Sequence, residues 1–169
     1  KSRGEISLRE AFARSVNSPA IRLMVKVGPK KVIEAAHRLG ITSKMDEHIS
    51  LSLGAIETTL LDLTAAFATF ANQGRAVWPY GILEIRDKEG NILYRREEQQ
   101  TQTVIKSEAL EKMRTMLRAV IGEGSGGVAN VSSAVMGKTG SNGDKDAWFI
   151  SMRESIENDI DIFKFAIYI

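Results

Sequence analysis

The chain has 169 residues, of which 43% are hydrophobic and 26% charged, and its formal net charge is +2. This balance is typical of a globular domain rather than a disordered segment, and so small a charge gives no reason to expect a nucleic-acid partner. The absence of cysteine and the presence of only two histidines, His37 and His48, exclude a disulfide scaffold, a thiol nucleophile and a cysteine-ligated metal, so we expect neither a metal site nor a cofactor.

Four helices are predicted in the first half of the chain, each bounded by a capping residue, a proline or a glycine. Ser7 and Glu10 have the spacing of a capping box at the start of the first helix. The expected bounds are Leu8 to about Arg14, Asn17 or Ser18 to Gly28, Pro29 to Gly40, and Thr58 or Thr59 to Asn72. Ser15 and Asn17 therefore lie at a break between two helices, where their side chains are free to face a cleft.

The second half of the chain is predicted to contain strands and one long helix. A turn at Asp87–Gly90 joins the two strands of a β-hairpin. Ser107 is the expected cap of a helix whose apolar residues have helical spacing, and three strand-like runs end the chain. These runs are about Ala134–Ser141, Asp146–Met152 and Ile160–Ile169. This order predicts an α+β fold, with a helical cluster packed on an antiparallel sheet.

The segment Gly122–Gly127 has the spacing G-x-G-x-x-G. A dinucleotide-binding loop of this spacing follows a strand and opens a helix, whereas here a helix precedes the glycines. No Gly-Lys-Ser or Gly-Lys-Thr follows them, which excludes a phosphate loop of the Walker type. We therefore interpret the segment as a flexible connector.

Two tripeptides contain candidate catalytic residues, Ser15-Val-Asn17 and Lys138-Thr-Gly140. Alone, they would be interpreted as helix caps and as a solvated charge at a strand end. Their flanking sequences make a functional interpretation stronger. The flanks are Gly4–Leu23, Leu53–Leu63, Phe70–Gly74, Gly137–Ser141 and Asp146–Phe149.

With these flanks, the chain from about Gly4 to Ile150 resembles the C-terminal part of the transpeptidase domain of class A (bifunctional) penicillin-binding proteins. Members of this family of penicillin-recognising serine enzymes have three elements, S-x-x-K, S-x-N and K-T-G. The resemblance implies a partial β-lactamase/transpeptidase-like fold that is truncated at both ends, with residues 1–169 as the C-terminal portion of the domain. A β-lactamase fragment fits the flanks less well.

The resemblance also implies roles for the residues of both elements. Ser15 would relay a proton to the leaving amine, and Asn17 would hold the substrate backbone and orient a lysine. Lys138 would supply a positive charge for the terminal carboxylate of a donor peptide or a penicillin.

Three further residues of the K-T-G element are expected at the same site. The hydroxyls of Thr139 and Ser141 would bind the carboxylate, and Gly140 would let a peptide lie close to the strand. Because successive side chains of a strand point to opposite faces, these groups and Lys138 can share one groove only if it runs along the strand edge.

No serine in the sequence is followed by lysine three residues later, so the S-x-x-K element is absent. One hypothesis is a working D,D-transpeptidase that is completed by an upstream segment or by an N-terminal companion polypeptide. The alternative is a catalytically inactive remnant, or a non-catalytic module that binds peptidoglycan or a partner. The implied ligands are stem peptides ending in D-Ala-D-Ala and β-lactams.

We find no apolar run long enough to cross a membrane and no signal peptide, and we expect any anchor or export signal to lie upstream. By resemblance, the location is the cell envelope, on the periplasmic side of the cytoplasmic membrane. We also expect the isolated chain to be marginally stable, because a partial sheet exposes an edge and apolar surface.

Overall fold

The computed structural model describes residues 4–97, 101–130, 134–142 and 146–153. Helices α1 to α5 are Leu8–Ala13, Asn17–Val27, Pro29–Arg38, Leu60–Ala71 and Ser107–Gly122. Strands β1 to β4 are Glu84–Arg86, Ile92–Arg95, Val135–Asn142 and Asp146–Arg153. Short 3₁₀ turns occupy Ile49–Leu53 and Gly127–Ala129. The α+β prediction is confirmed, and the third predicted strand, Ile160–Ile169, lies outside the described residues.

The strands form two antiparallel pairs. β1 and β2 make the predicted hairpin, with Glu84 opposite Arg95. β3 and β4 pair along their whole length, from Val135 opposite Arg153 to Asn142 opposite Asp146. In the second pair, Met136 lies opposite Met152, and both side chains are fully buried.

Helices α1, α4 and α5 cover one face of the β3–β4 pair. The core cluster joins Ala71 and Leu117 to the two buried methionines of the strands, and residues from α1, α4 and α5 pack around it. Arg114 of α5 is almost fully buried and donates to the carbonyl oxygens of Phe70 (2.8 Å) and Ala71 (3.2 Å) at the end of α4. These bonds satisfy carbonyls that a helix terminus leaves without an intrahelical partner.

Two of the predicted caps are observed and two are not. Ser7 accepts from the amide of Glu10 (3.1 Å), and Thr59 caps α4 in the same way. The prediction for α5 was wrong, because Lys106 is the cap and Ser107 is already helical. The amides of residues 104 and 105 both donate to the carbonyl of Gly74, and this bonding holds the chain extended up to Lys106.

The N-cap predicted for α2 was also wrong. Val16 has the extended backbone of a cap, and Asn17 is the first helical residue, so neither Asn17 nor Ser18 caps the helix. The cause lies in the preceding turn, because Ser15 reverses the chain and leaves Val16 extended. Among the described residues, no helix is both long and apolar enough to cross a bilayer.

Candidate active site

The break between α1 and α2 is a Schellman turn with serine at the position that usually holds glycine. Ser15 has a φ of 52°, its amide donates to Phe12 O (3.1 Å), and the amide of Val16 donates to Ala11 O (2.9 Å). This bond pattern is that of a helix end closed by a left-handed residue. The turn fixes Ser15 in a left-handed conformation, which residues other than glycine and asparagine rarely adopt.

The same bond pattern ends α3, where Gly40 takes the left-handed position with a φ of 94°. There, the amide of Ile41 donates to Ala36 O (3.1 Å). Because the two turns are equivalent and only one has glycine, the serine in the first turn is not required by the backbone. Its hydroxyl therefore needs another explanation.

The ammonium of Lys138 meets this turn from β3. Its Nζ donates to Ser15 Oγ and to the carbonyl of Thr139 (2.8 Å), and it lies 5.7 Å from the centre of the Phe12 ring. This last distance is within the range of a cation–π contact. The fold thus brings together two motifs that are 123 positions apart in the sequence.

Lys138 extends the buried face of β3 because Met136, two residues earlier, lies in the core. Desolvation by this partly buried position lowers the pKa of Lys138 below its ordinary value, since burial disfavours the charged form. The side chain therefore gives up a proton more readily than a solvated lysine does.

The glycine-rich loop after α5 is a structured part of this site, and its interpretation as a flexible connector was wrong. The Ser125 amide donates to Ala13 O (3.1 Å), and the Ser125 hydroxyl lies 2.6 Å from Thr139 Oγ1. A Cβ on Gly124 would lie 2.1 Å from Ala13 O, so only glycine allows this approach. The loop therefore connects the end of α1 to β3.

The side chains of Lys138 and Thr139 leave β3 on opposite faces, yet both connect to the end of α1. Lys138 contacts Ser15 directly, whereas Thr139 connects to Ala13 through Ser125. The two side chains therefore border one region at the end of α1, as a groove along the strand edge requires.

The other predicted site residues are exposed around this region. Asn17 is exposed at the start of α2, and its side chain makes no hydrogen bond within the described part of the chain. Gly140 and Ser141 are exposed near the end of β3, and the space that a Cβ on Gly140 would take is empty to 4 Å. Open backbone of this kind can accept an extended ligand alongside it.

The clefts elsewhere in the described structure do not contain the candidate catalytic residues. A cleft of about 420 Å³ is bordered by the paired side chains of Arg9 and Glu123, and one of about 520 Å³ is lined by residues from Lys44 to Glu57. Neither cleft includes a residue of the two motifs. No group of three or more acidic, histidine or cysteine side chains that could hold a metal occurs within residues 4–97, 101–130, 134–142 and 146–153.

Sequence reasoning missed Ser125, which lies in neither motif. The available signal was the glycine on each side of it, Gly124 and Gly126. Glycine often marks a point where another segment of backbone comes close. The pattern alone does not say which segment that is.

Comparison with known proteins agrees with this architecture. The family model "Penicillin binding protein transpeptidase domain" matches residues 1–162. Penicillin-binding protein 1A of Aquifex aeolicus is 38% identical over 152 residues, which cover 89% of this chain and 21% of the relative. Penicillin-binding protein 1A of Rickettsia typhi is 32% identical over 177 residues, covering 90% of this chain and 22% of the relative.

A solved structure, the PonA1 protein from Mycobacterium tuberculosis in complex with penicillin V, is 24% identical and superposes with a TM-score of 0.79. The match covers 90% of this chain and 46% of that chain, and it confirms the predicted transpeptidase-like fold. The chain spans about a fifth of the length of the curated relatives that it matches. On the family match over residues 1–162, the chain belongs to the penicillin-binding protein transpeptidase domain family.

Proposed function

We propose that residues 1–169 are the C-terminal portion of a peptidoglycan D,D-transpeptidase domain and form the half of its active site that binds the donor peptide and moves protons. The observation that supports this most directly is the contact of Lys138 with the Ser15 hydroxyl. A serine in a strained turn, hydrogen-bonded by a partly desolvated lysine, is an arrangement suited to proton transfer.

The proposed reaction begins when a serine nucleophile attacks the carbonyl of the penultimate D-alanine and gives its proton to the lysine of the S-x-x-K element. The bond to the terminal D-alanine breaks, and the departing nitrogen needs a proton. Because Lys138 donates to Ser15 Oγ, the hydroxyl proton of Ser15 remains available for that nitrogen. Lys138, whose pKa is lowered, can then return a proton to Ser15 and regain one from the lysine that took it from the nucleophile, which restores the charge of Lys138.

The groups around the proton relay are suited to hold the donor peptide. Lys138 and the hydroxyls of Thr139 and Ser141 offer a charge and two donors to the terminal carboxylate. The open backbone at Gly140 leaves room for the peptide along β3, and the exposed amide of Asn17 can bind its backbone. PonA1, which this chain resembles in fold, was solved in complex with penicillin V, and we expect a β-lactam to present its carboxylate to the same groups of this chain.

The nucleophile must come from outside these 169 residues, because no serine here has a lysine three positions later. An upstream segment of the same protein or a separate N-terminal polypeptide can supply it. We expect the site then to act in the cell envelope, on the periplasmic side of the cytoplasmic membrane. If neither source exists, the chain is an inactive remnant or a binding module.

The decisive test is to label envelope extracts of the source cells with a fluorescent penicillin and probe them with an antibody against this chain. We expect one labelled band that carries the epitope and is larger than the 18.6 kDa of the chain. In cells whose gene carries Ser15→Ala, the band should keep its size and lose most of its labelling rate. An epitope found only at 18.6 kDa, with no label there or in a band that co-precipitates with it, would overturn the proposal.

A further inference from the structure

Ser125 links the end of α1 to the K-T-G element, although it belongs to neither motif. Its amide donates to Ala13 O (3.1 Å), and its hydroxyl lies 2.6 Å from Thr139 Oγ1 and 3.5 Å from Ala13 O. The neighbouring glycines fix its position, because Gly124 lies against Ala13 and the amide of Gly126 donates to Val120 O (2.9 Å). The hydroxyl is therefore held in place by its backbone.

A serine hydroxyl has one proton, and this one has two acceptors within reach. A hydrogen bond between hydroxyl oxygens is most favourable near 2.7–2.8 Å and weakens at longer distances. Ala13 O is far away at 3.5 Å and already accepts from the Ser125 amide. Either hydroxyl can donate across the 2.6 Å between Ser125 Oγ and Thr139 Oγ1, and a carboxylate that accepts from Thr139 requires the arrangement in which Ser125 donates to Thr139.

This direction decides what Thr139 can offer a ligand. If Ser125 donates, the proton of Thr139 stays free to donate to a negatively charged oxygen. If Thr139 donated to Ser125 instead, only its lone pairs would face the groove, and they would repel a carboxylate. The polarity of one hydrogen bond thus sets whether Thr139 attracts or rejects an anion.

We propose that Ser125 is a positioning residue that makes Thr139 a donor to the terminal carboxylate of the donor peptide. The inference rests on the proposed function, because it assumes that a D-Ala-D-Ala carboxylate binds along β3. It predicts a dependence on ligand charge, which a residue with a merely structural role would not show.

The test is an NMR titration of the purified chain with diacetyl-L-Lys-D-Ala-D-Ala and with the same peptide carrying a C-terminal carboxamide. We expect the unaltered chain to prefer the carboxylate form. Ser125→Ala should reduce that preference roughly threefold to tenfold, because the Thr139 side chain loses the hydrogen bond that orients its hydroxyl. Ser125→Thr should retain it, and Ser107→Ala, at an exposed serine at the opposite end of α5 from this loop, should leave it unchanged.

If Ser125→Ala does not fold, Ser125→Cys serves in its place, because a thiol has a similar shape but is a weak donor. A preference that is unchanged in the alanine or cysteine variant would overturn the role of Ser125 and leave the proposed function standing. Equal binding of the two peptides by the unaltered chain, or binding of neither, would overturn the substrate assignment together with this inference.

Discussion

The close approach of the glycine-rich loop to the end of α1 can be tested by adding one methyl group at Gly124. A Cβ there would lie 2.1 Å from Ala13 O, 2.7 Å from Ala13 C and 3.0 Å from Val120 O, all of them backbone atoms. Real Cβ atoms essentially never come within 3.0 Å of a heavy atom from outside their own residue and its chain neighbours. The loop and the helix end must therefore separate by roughly 1 Å in Gly124→Ala.

The energetic cost follows from what the separation breaks. Overpacking against atoms that cannot rotate away costs about 1–3 kcal/mol. The bond from the Ser125 amide to Ala13 O adds about 1 kcal/mol. We expect Gly124→Ala to lower the free energy of unfolding by about 2–4 kcal/mol. For a chain of this size, each kcal/mol lowers the melting temperature by about 2–4 °C.

The assay is urea unfolding followed by circular dichroism, with Gly122→Ala as the matched control. Gly122 is the last residue of α5, and a Cβ there meets nothing within 4 Å. Alanine at this position should be neutral, or stabilising by up to about 1 kcal/mol, because it restricts the unfolded chain. If the two variants unfold at the same urea concentration, the loop does not pack on α1 as described.

Three other predictions concern stability. Arg114→Met should cost about 2–5 kcal/mol, because it leaves the carbonyls of Phe70 and Ala71 unsatisfied beside a buried side chain; an unchanged urea midpoint would contradict this. Since the pKa of Lys138 is lowered in the folded state, the unfolded chain binds more protons between that value and 10.5, and stability should rise with pH across this window. Lys138→Met should remove this contribution to the pH dependence of the free energy of unfolding. Urea titrations of both proteins at several alkaline pH values measure it, and the same pH dependence in the variant would contradict the prediction. Large apolar side chains remain exposed on β1, β2 and α2, so the isolated chain should bind the dye ANS and unfold at low temperature, and a sharp melt at high temperature would refute this expectation.

Local rules were enough to predict most of the helices and the paired strands. These features act through neighbouring residues, so the local sequence was enough to predict them. They are the caps at Ser7 and Thr59, the glycine at the end of α3 and the hairpin turn. The cap of α2 was missed because the adjacent turn at Ser15 leaves Val16 extended. The cap of α5 was missed because distant contacts set where the extended backbone ends. Just before α5, the amides of residues 104 and 105 bond to the carbonyl of Gly74, which lies about thirty positions earlier in the chain.

The candidate site divides in the same way. Ser15 and Lys138 could be paired in advance only through resemblance to a family, since no local rule relates tripeptides that are 123 positions apart. Ser125 could not be assigned to the site, because a glycine pattern indicates a close approach of backbone without showing which segment approaches. The left-handed backbone of Ser15 was also invisible, since serine gives no hint of it.

The Schellman turn at Ser15 has a consequence for laboratory evolution of this chain. A left-handed serine costs roughly 1–2 kcal/mol, and glycine would remove that strain while adding about 0.5–1 kcal/mol of unfolded-state entropy. A library screened for heat resistance would therefore accept Ser15→Gly without penalty and discard the hydroxyl that meets Lys138. Improved variants from such a screen should be sequenced at this codon before they are used to study chemistry.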